Sequence, residues 1–94
     1  TVPLSLIGQM RTDLGFDTVI TAYGRTEACG FATMCRRGDD AVTIATTSGR
    51  AMPGIEVQVV DDDGTSLPPG EAGEVVIRGY NVMAGYFENP EATA

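Results

Sequence analysis

The chain has 94 residues, six cationic side chains against 13 acidic ones, a net charge of −7 and 43% hydrophobic residues, which describes one small acidic unit with little room for a large independent active site. The negative balance argues against nucleic acid and anionic membrane surfaces as partners, because phosphate neutralisation needs clustered cations and only Arg36 and Arg37 are adjacent. With no His and no Lys, the chain has no Ser/His or Cys/His catalytic pair, no Schiff-base lysine and no P-loop lysine.

In chain order, Pro3 suits the first turn of a helix, on which Leu6, Ile7, Met10 and Leu14 share one face. Gly15 supplies the stop. Gly8 weakens the segment by up to about 1 kcal/mol relative to Ala, so packing must carry the helix. Thr18 to Ala22 is a β-branched, apolar run that reads as a buried strand. Helix then strand suggests an α/β layer over residues 1–45.

After Ala45 the character changes. Thr46 to Gly49 reads as a loop and Pro53-Gly54 as a turn. Ile55, Val57 and Val59 alternate with Glu56, Gln58 and Val60, which predicts a strand with one buried face. Asp61 to Gly64 turns the chain, Pro68-Pro69-Gly70 turns it again, and Glu74 to Arg78 is the partner strand. Asn89-Pro90 marks a further boundary, with Glu91 placed to favour a helix N-terminus. Residues 46–94 therefore read as all β up to that boundary.

Cys29 and Cys35 stand at C-x5-C spacing, which fits neither a zinc site nor a redox C-x-x-C and is expected to be a pair of buried free thiols. No apolar stretch approaches the roughly 20 residues of a membrane span and no signal peptide is visible, so a cytoplasmic setting is expected. The chain starts at Thr1 and stops at Ala94 without a natural-looking terminus, which suggests a piece of something longer.

Three clusters of polar residues have plain explanations. Asp61 to Asp63 lacks the ligand spacing of an EF-hand and reads as a hairpin turn. Ser48-Gly49-Arg50 is a loop between elements that offers, at most, backbone N–H groups to an anion. Arg36-Arg37 beside Asp39-Asp40 reads as a solvated, locally neutralised stretch.

Tyr23-Gly24-Arg25-Thr26-Glu27 is different in kind. A ring, a glycine that admits close approach, a hydroxyl and a carboxylate stand within five positions at a strand end. A ring can stack on a base, a hydroxyl can bind phosphate or carboxylate oxygens, and a carboxylate can hold a magnesium ion that bridges phosphates.

These residues resemble the Y-G-x-T-E motif of the adenylate-forming superfamily, which includes acyl-CoA synthetases, luciferases and peptide synthetase adenylation domains. A second block resembles the same family. Gly73-Glu74-Val75-Val76-Ile77-Arg78-Gly79, then Val82-Met83-Ala84-Gly85-Tyr86 and Pro90-Glu91, is similar to its G-E-[IVL]-x-[IVL]-x-G…V-x-x-G-Y…P-E pattern. Gly49-Arg50, Pro53-Gly54, Val57 and the Asp61 to Gly64 turn match the connecting segment. The opening helix, Val19 to Ala22 and Leu67 to Glu71 look like those of bacterial medium- or long-chain fatty-acid–CoA ligases.

The resemblance implies an α/β fragment: the end of an α/β subdomain over 1–45, then part of a distorted antiparallel β-barrel subdomain over 46–94. It implies a parent enzyme that uses ATP, Mg2+ and coenzyme A to convert a carboxylic acid, through an acyl-adenylate, into a thioester. Carried over by motif, Tyr23 would stack on adenine, Gly24 would line the acyl site, Thr26 would bind phosphate or acyl oxygens, and Glu27 would hold the magnesium. Thr26 and Glu27 are thus the candidate catalytic residues, and Tyr23, Gly24 and Thr26 the candidate nucleotide-binding ones. Arg25 occupies the variable position and is expected to face solvent. The second block is expected to be structural.

The family's phosphate loop with its lysine, its ribose-binding aspartate and its C-terminal lysine all fall outside this stretch. The fragment alone is therefore expected to be inactive, with the remainder of the parent chain as its partner. Edges and apolar faces left unpaired favour self-association as a dimer or by strand exchange, which sedimentation tests. Rival expectations are an aryl- or amino-acid-adenylating domain and a non-catalytic β-rich interaction module.

Overall fold

A computed structural model describes residues 2–94; Thr1, the first residue of the expected 1–45 segment, lies outside the described residues. Helix α1 spans Leu4–Thr12, with Pro3 as its N-cap residue rather than within the first turn. Only Ile7 of the expected apolar face is buried; Leu14 lies beyond the helix and is exposed. Ile7 packs with Cys35, Ile44 and Ala45, and Val2, Val19 and Ala41 close around them.

Ile44 and Ala45 belong to α2, Ala41–Thr46. Its sequence, Ala-Val-Thr-Ile-Ala-Thr, is rich in β-branched residues and has the composition of a strand. The cap overrides that preference. Asp40 accepts hydrogen bonds from the N–H groups of Val42 and Thr43, both at 2.9 Å, while Thr46 and Thr47 donate back to the carbonyls of Val42 and Thr43.

Three strands make one antiparallel sheet in the order β1-β2-β3: Ala22–Arg25, Gly30–Met34 and Arg50–Ala51. The expected buried strand at Thr18 to Ala22 is corrected here, since only Ala22 is in a strand and the run is exposed or half-buried. Pairing decides this. Thr21 spends its hydroxyl on the last carbonyls near α2, Ile44 at 2.8 Å and Thr47 at 3.0 Å, and its own carbonyl accepts from Cys35 N–H. Ladder contacts with β2 begin one residue later, at Ala22 opposite Met34.

A second sheet pairs β4, Ile55–Val60, with β5, Glu74–Gly79, in antiparallel register from Ile55 opposite Gly79 to Val60 opposite Glu74. Both strands lie where the alternation placed them. The two sheets do not close into a barrel among the described residues. A short helix α3, Pro90–Thr93, follows, capped by the Asn89 side chain on Ala92 N–H.

Several side chains depart from expectation. Cys35 is buried as a free thiol, but Cys29 is exposed, because it sits in the left-handed region (φ 46°) where the chain reverses into β2. Arg36 is not simply solvated: it is half-buried and its guanidinium donates to the carbonyls of Met34 and Ala51, stapling β2 to β3. Asp39 accepts from Arg36 N–H and pairs with Arg50 at 2.9 Å. The Ser48 carbonyl accepts from the Thr33 hydroxyl, so that loop is tied to β2.

Candidate functional site

The Tyr23 to Glu27 segment does not follow a strand; it begins as one and ends in a turn. Tyr23, Gly24 and Arg25 are in β1, and Thr26 to Ala28 form a single 3-10 turn that leads into β2. The ladder slips between Tyr23 and Gly24, so that Tyr23 faces Thr33 and Gly24 faces Phe31. The slip brings the two backbones together: a Cβ on Gly24 would meet the Gly30 carbonyl oxygen. Glycine at this position is therefore required by the bulge itself.

Tyr23 is half-buried in the ladder, Thr26 is exposed at the head of the turn, and Glu27 is half-buried at its centre. One turn thus brings the candidate residues together. Arg25 faces solvent but is not idle, since its Nε lies 3.7 Å from Glu27 Oε2 with both side chains substantially exposed.

Glu27 is held from far away in sequence. Tyr86 donates its hydroxyl to Glu27 Oε1 at 2.6 Å, across 59 positions. Met83 N–H donates to the Glu27 carbonyl at 2.9 Å, and Asn81 Nδ2 donates to the Ala28 carbonyl at 2.8 Å. The Tyr86 hydrogen bond holds the Glu27 carboxyl below its ordinary range, helped by a backbone N–H and by Arg25 against the opposing effect of burial. The same bond raises the Tyr86 hydroxyl, because the proton it donates is stabilised by the carboxylate.

Sequence reasoning gives the second block, Gly85-Tyr86 included, a structural role only. The place of Tyr86 in that block was the available signal, but nothing in the spacing said which residue its hydroxyl would reach. A cleft of about 190 Å³ opens beside the turn, lined by Arg25, Glu27, Ala28, Val75, Ile77 and Val82. It is charged at the turn and apolar along β5. Sites that enclose a small molecule run from roughly 300 Å³ upward, so this cleft is too small to enclose one by itself.

Among the described residues no three acidic, Cys or His side chains gather as a metal cluster. Glu27 is a single carboxylate, and that donor set fits magnesium, which takes one or two carboxylates together with phosphate oxygens and water. It would not fit a structural zinc. Among the described residues no helix is long and apolar enough to cross a membrane.

Comparison with known proteins gives a consistent match. The family described as AMP-binding enzyme matches residues 1–87. The chain is 50% identical over 93 residues to the (7a-methyl-1,5-dioxo-octahydro-1H-inden-4-yl)propanoyl:CoA ligase of Rhodococcus jostii (strain RHA1), covering 99% of this chain and 16% of that protein. It is 42% identical over 76 residues to the medium-chain fatty-acid–CoA ligase of Escherichia coli (strain K12), covering 81% of this chain and 13% of that one. Among solved structures, o-succinylbenzoate CoA synthetase from Bacillus subtilis, in complex with its acyl-adenylate intermediate, superposes with a TM-score of 0.79 at 29% identity, covering 99% of this chain and 23% of that one. The chain thus spans about one-sixth or less of the length of these curated relatives.

Proposed function

Because the chain belongs to the AMP-binding enzyme family, we propose that it is the nucleotide-facing segment of an ATP-dependent acid–CoA ligase. The parent would join a carboxylic acid to ATP, forming an acyl-adenylate and releasing pyrophosphate, and then pass the acyl group to the thiol of coenzyme A. The observation that carries this reading is the placement of Glu27: a carboxylate at the centre of a turn, one oxygen fixed by Tyr86 and the whole turn tied to a distant loop.

In this reading Tyr23 stacks on the adenine, the Gly24 backbone lines the acyl site, Thr26 binds phosphate or acyl oxygens, and Glu27 holds magnesium. The bound ion would supply charge neutralisation on the phosphates as negative charge develops at the attacked phosphorus. The chain's own part is to present a pre-set carboxylate, so that little reorganisation is needed when charge develops. Arg25 gives the turn a second electrostatic partner at its open side.

The small cleft and the one-sixth coverage support a division of labour. Residues 1–45 would end an α/β subdomain and 46–94 would form part of a β subdomain, with the remainder of the parent chain completing the pocket. The segment alone would then be inactive and, with Phe87 90% exposed and Tyr80 80% exposed, prone to self-association. Reliance on ATP and coenzyme A favours a cytoplasmic setting.

The acid is proposed to be a fatty acid or a propanoate carried on a fused ring system. The second is favoured by the higher identity to the Rhodococcus ligase, 50% against 42%. Acid-dependent pyrophosphate release by the full-length protein tests this, with straight-chain fatty acids, fused-ring propanoates, benzoates and amino acids in parallel. Release with the first two classes that collapses by roughly a hundredfold in Glu27→Ala is expected. Release only with benzoates or amino acids would move the protein to another adenylating branch, and no release at all would leave a non-catalytic module.

A further inference from the structure

The Glu27 carboxylate is positioned by a device that begins at the other end of the chain. Asn89 caps α3 through Ala92 N–H, and Thr93 in that helix donates to the Asn89 carbonyl at 2.8 Å. The Thr93 hydroxyl oxygen in turn accepts the Tyr86 backbone N–H at 2.9 Å. Its methyl and hydroxyl lie where a Cβ on Gly85 would stand, so the loop before Tyr86 is pressed against α3. From this anchored backbone the Tyr86 ring reaches back to Glu27 Oε1 at 2.6 Å.

Two further bonds from the same loop, Met83 N–H to Glu27 O and Asn81 Nδ2 to Ala28 O, fix the backbone that carries the carboxylate. Three hydrogen bonds from Asn81 to Tyr86 thus converge on two successive residues more than fifty positions earlier. A turn of three residues needs no such support to close, since Cys29 N–H already bonds to the Thr26 carbonyl within it. What the distant bonds add is a fixed side-chain direction: with Oε1 occupied, Oε2 is the oxygen left facing Arg25.

We propose that Tyr86 is a positioning residue for the metal-binding carboxylate: its hydroxyl, held through Thr93 and α3, sets Glu27 so that a single defined oxygen is offered to a magnesium–nucleotide complex. The inference rests on the reading of Glu27 as the magnesium residue. Tyr86 touches neither substrate nor metal; it acts through Glu27. Hydrogen-bond partners of metal-binding carboxylates affect metal affinity even though they never touch the ion.

The test uses the full-length protein and calorimetric binding of ATP, once with excess magnesium and once with chelator, beside pyrophosphate-release kinetics. In Tyr86→Phe, affinity for magnesium–ATP is expected to fall roughly tenfold and kcat to fall with it, while affinity for metal-free ATP and the melting temperature stay unchanged. A purely structural tyrosine would not separate the two forms of ATP. Thr93→Val, which removes the anchor without touching the site, is expected to weaken magnesium–ATP in the same direction by a smaller factor, and it carries the test if Tyr86→Phe folds poorly. If both variants bind magnesium–ATP as the parent does while Glu27→Ala loses it, the positioning role is overturned and the reading of Glu27 stands. If Glu27→Ala itself binds magnesium–ATP normally, that reading falls and the inference falls with it.

Discussion

Two acidic turns in this molecule look alike in sequence and are built in opposite ways. Asp61, at the end of β4, folds its carboxylate back on its own turn: Oδ1 accepts from Asp63 N–H at 3.0 Å and Thr65 N–H at 2.8 Å, and its carbonyl accepts from Gly64 N–H. Every one of these partners lies within four residues. Glu27, at the end of β1, takes its side-chain hydrogen bond from Tyr86 and its carbonyl bond from Met83. A carboxylate satisfied by neighbouring N–H groups has done its work once the turn is formed. One aimed by distant side chains has its direction set by the tertiary fold.

Gly24, in the strand that leads to Glu27, and Gly64, in the Asp61 turn, should break the comparison most sharply. In Gly24→Ala the new Cβ meets the Gly30 carbonyl oxygen and the Phe31 backbone, neither of which can step aside without opening the β1–β2 ladder. A loss of about 3 kcal/mol is expected from such overpacking. Gly64 has φ 80° but open space around the position of a Cβ, so Gly64→Ala meets only the left-handed backbone penalty of about 1 kcal/mol. Denaturant unfolding of both variants in the full-length protein gives the difference; equal losses would mean that the bulge at Gly24 relaxes freely.

Asn81 offers the next largest effect. Its Nδ2 donates to the carbonyls of Ala28 and Phe31, which fixes the orientation of the amide and leaves Oδ1 buried without a partner. Removing the side chain in Asn81→Ala leaves the Ala28 carbonyl without its donor, at an expected cost of about 2 kcal/mol. Asp61→Ala loses only local turn bonds, at about 1 kcal/mol, and leaves pyrophosphate release unchanged. The ratio of activity to stability therefore separates the turns: Asn81→Ala should weaken both, because it loosens the backbone beneath Glu27, and Asp61→Ala only stability.

This contrast also explains what could be read from the chain. The β4–β5 pair was legible because its alternation and its turns are local signals that tertiary contacts reinforce. The Thr18 to Ala22 run misled, since β-branched composition marks extended backbone but a strand exists only where a neighbour pairs with it, and β2 arrives at Ala22. Helix α2 went unread because Val42, Thr43 and Ile44 carry strand-like composition; the signal was Asp40, assigned only to neutralising arginines. At the site, motif resemblance brought Tyr23 to Glu27 forward and put Tyr86 in a second block. It did not join them, because a hydrogen bond across 59 positions depends on the sheets, the loop and α3 all being in place.

Asp40 provides the smallest effect and a check on how local carboxylates behave. Hydrogen bonds from the Thr43 N–H, the Thr43 hydroxyl and the Val42 N–H hold its carboxyl below the ordinary value of 3.8. Since the folded value lies below the unfolded one, the ionised cap stabilises the fold fully above 3.8, and this contribution is lost as pH falls through the lowered value. Asp40→Asn keeps an oxygen acceptor at the cap but has nothing to titrate. The variant should melt below the parent at neutral pH and lose less of its melting temperature on acidification below 3.8, so that the two converge, a difference that differential scanning calorimetry across that range resolves. If parent and variant fall together, the cap is held by geometry alone and its charge adds nothing. A purely local carboxylate would then differ from Glu27 in kind, since the charge on Glu27 is the property its distant tyrosine is placed to serve.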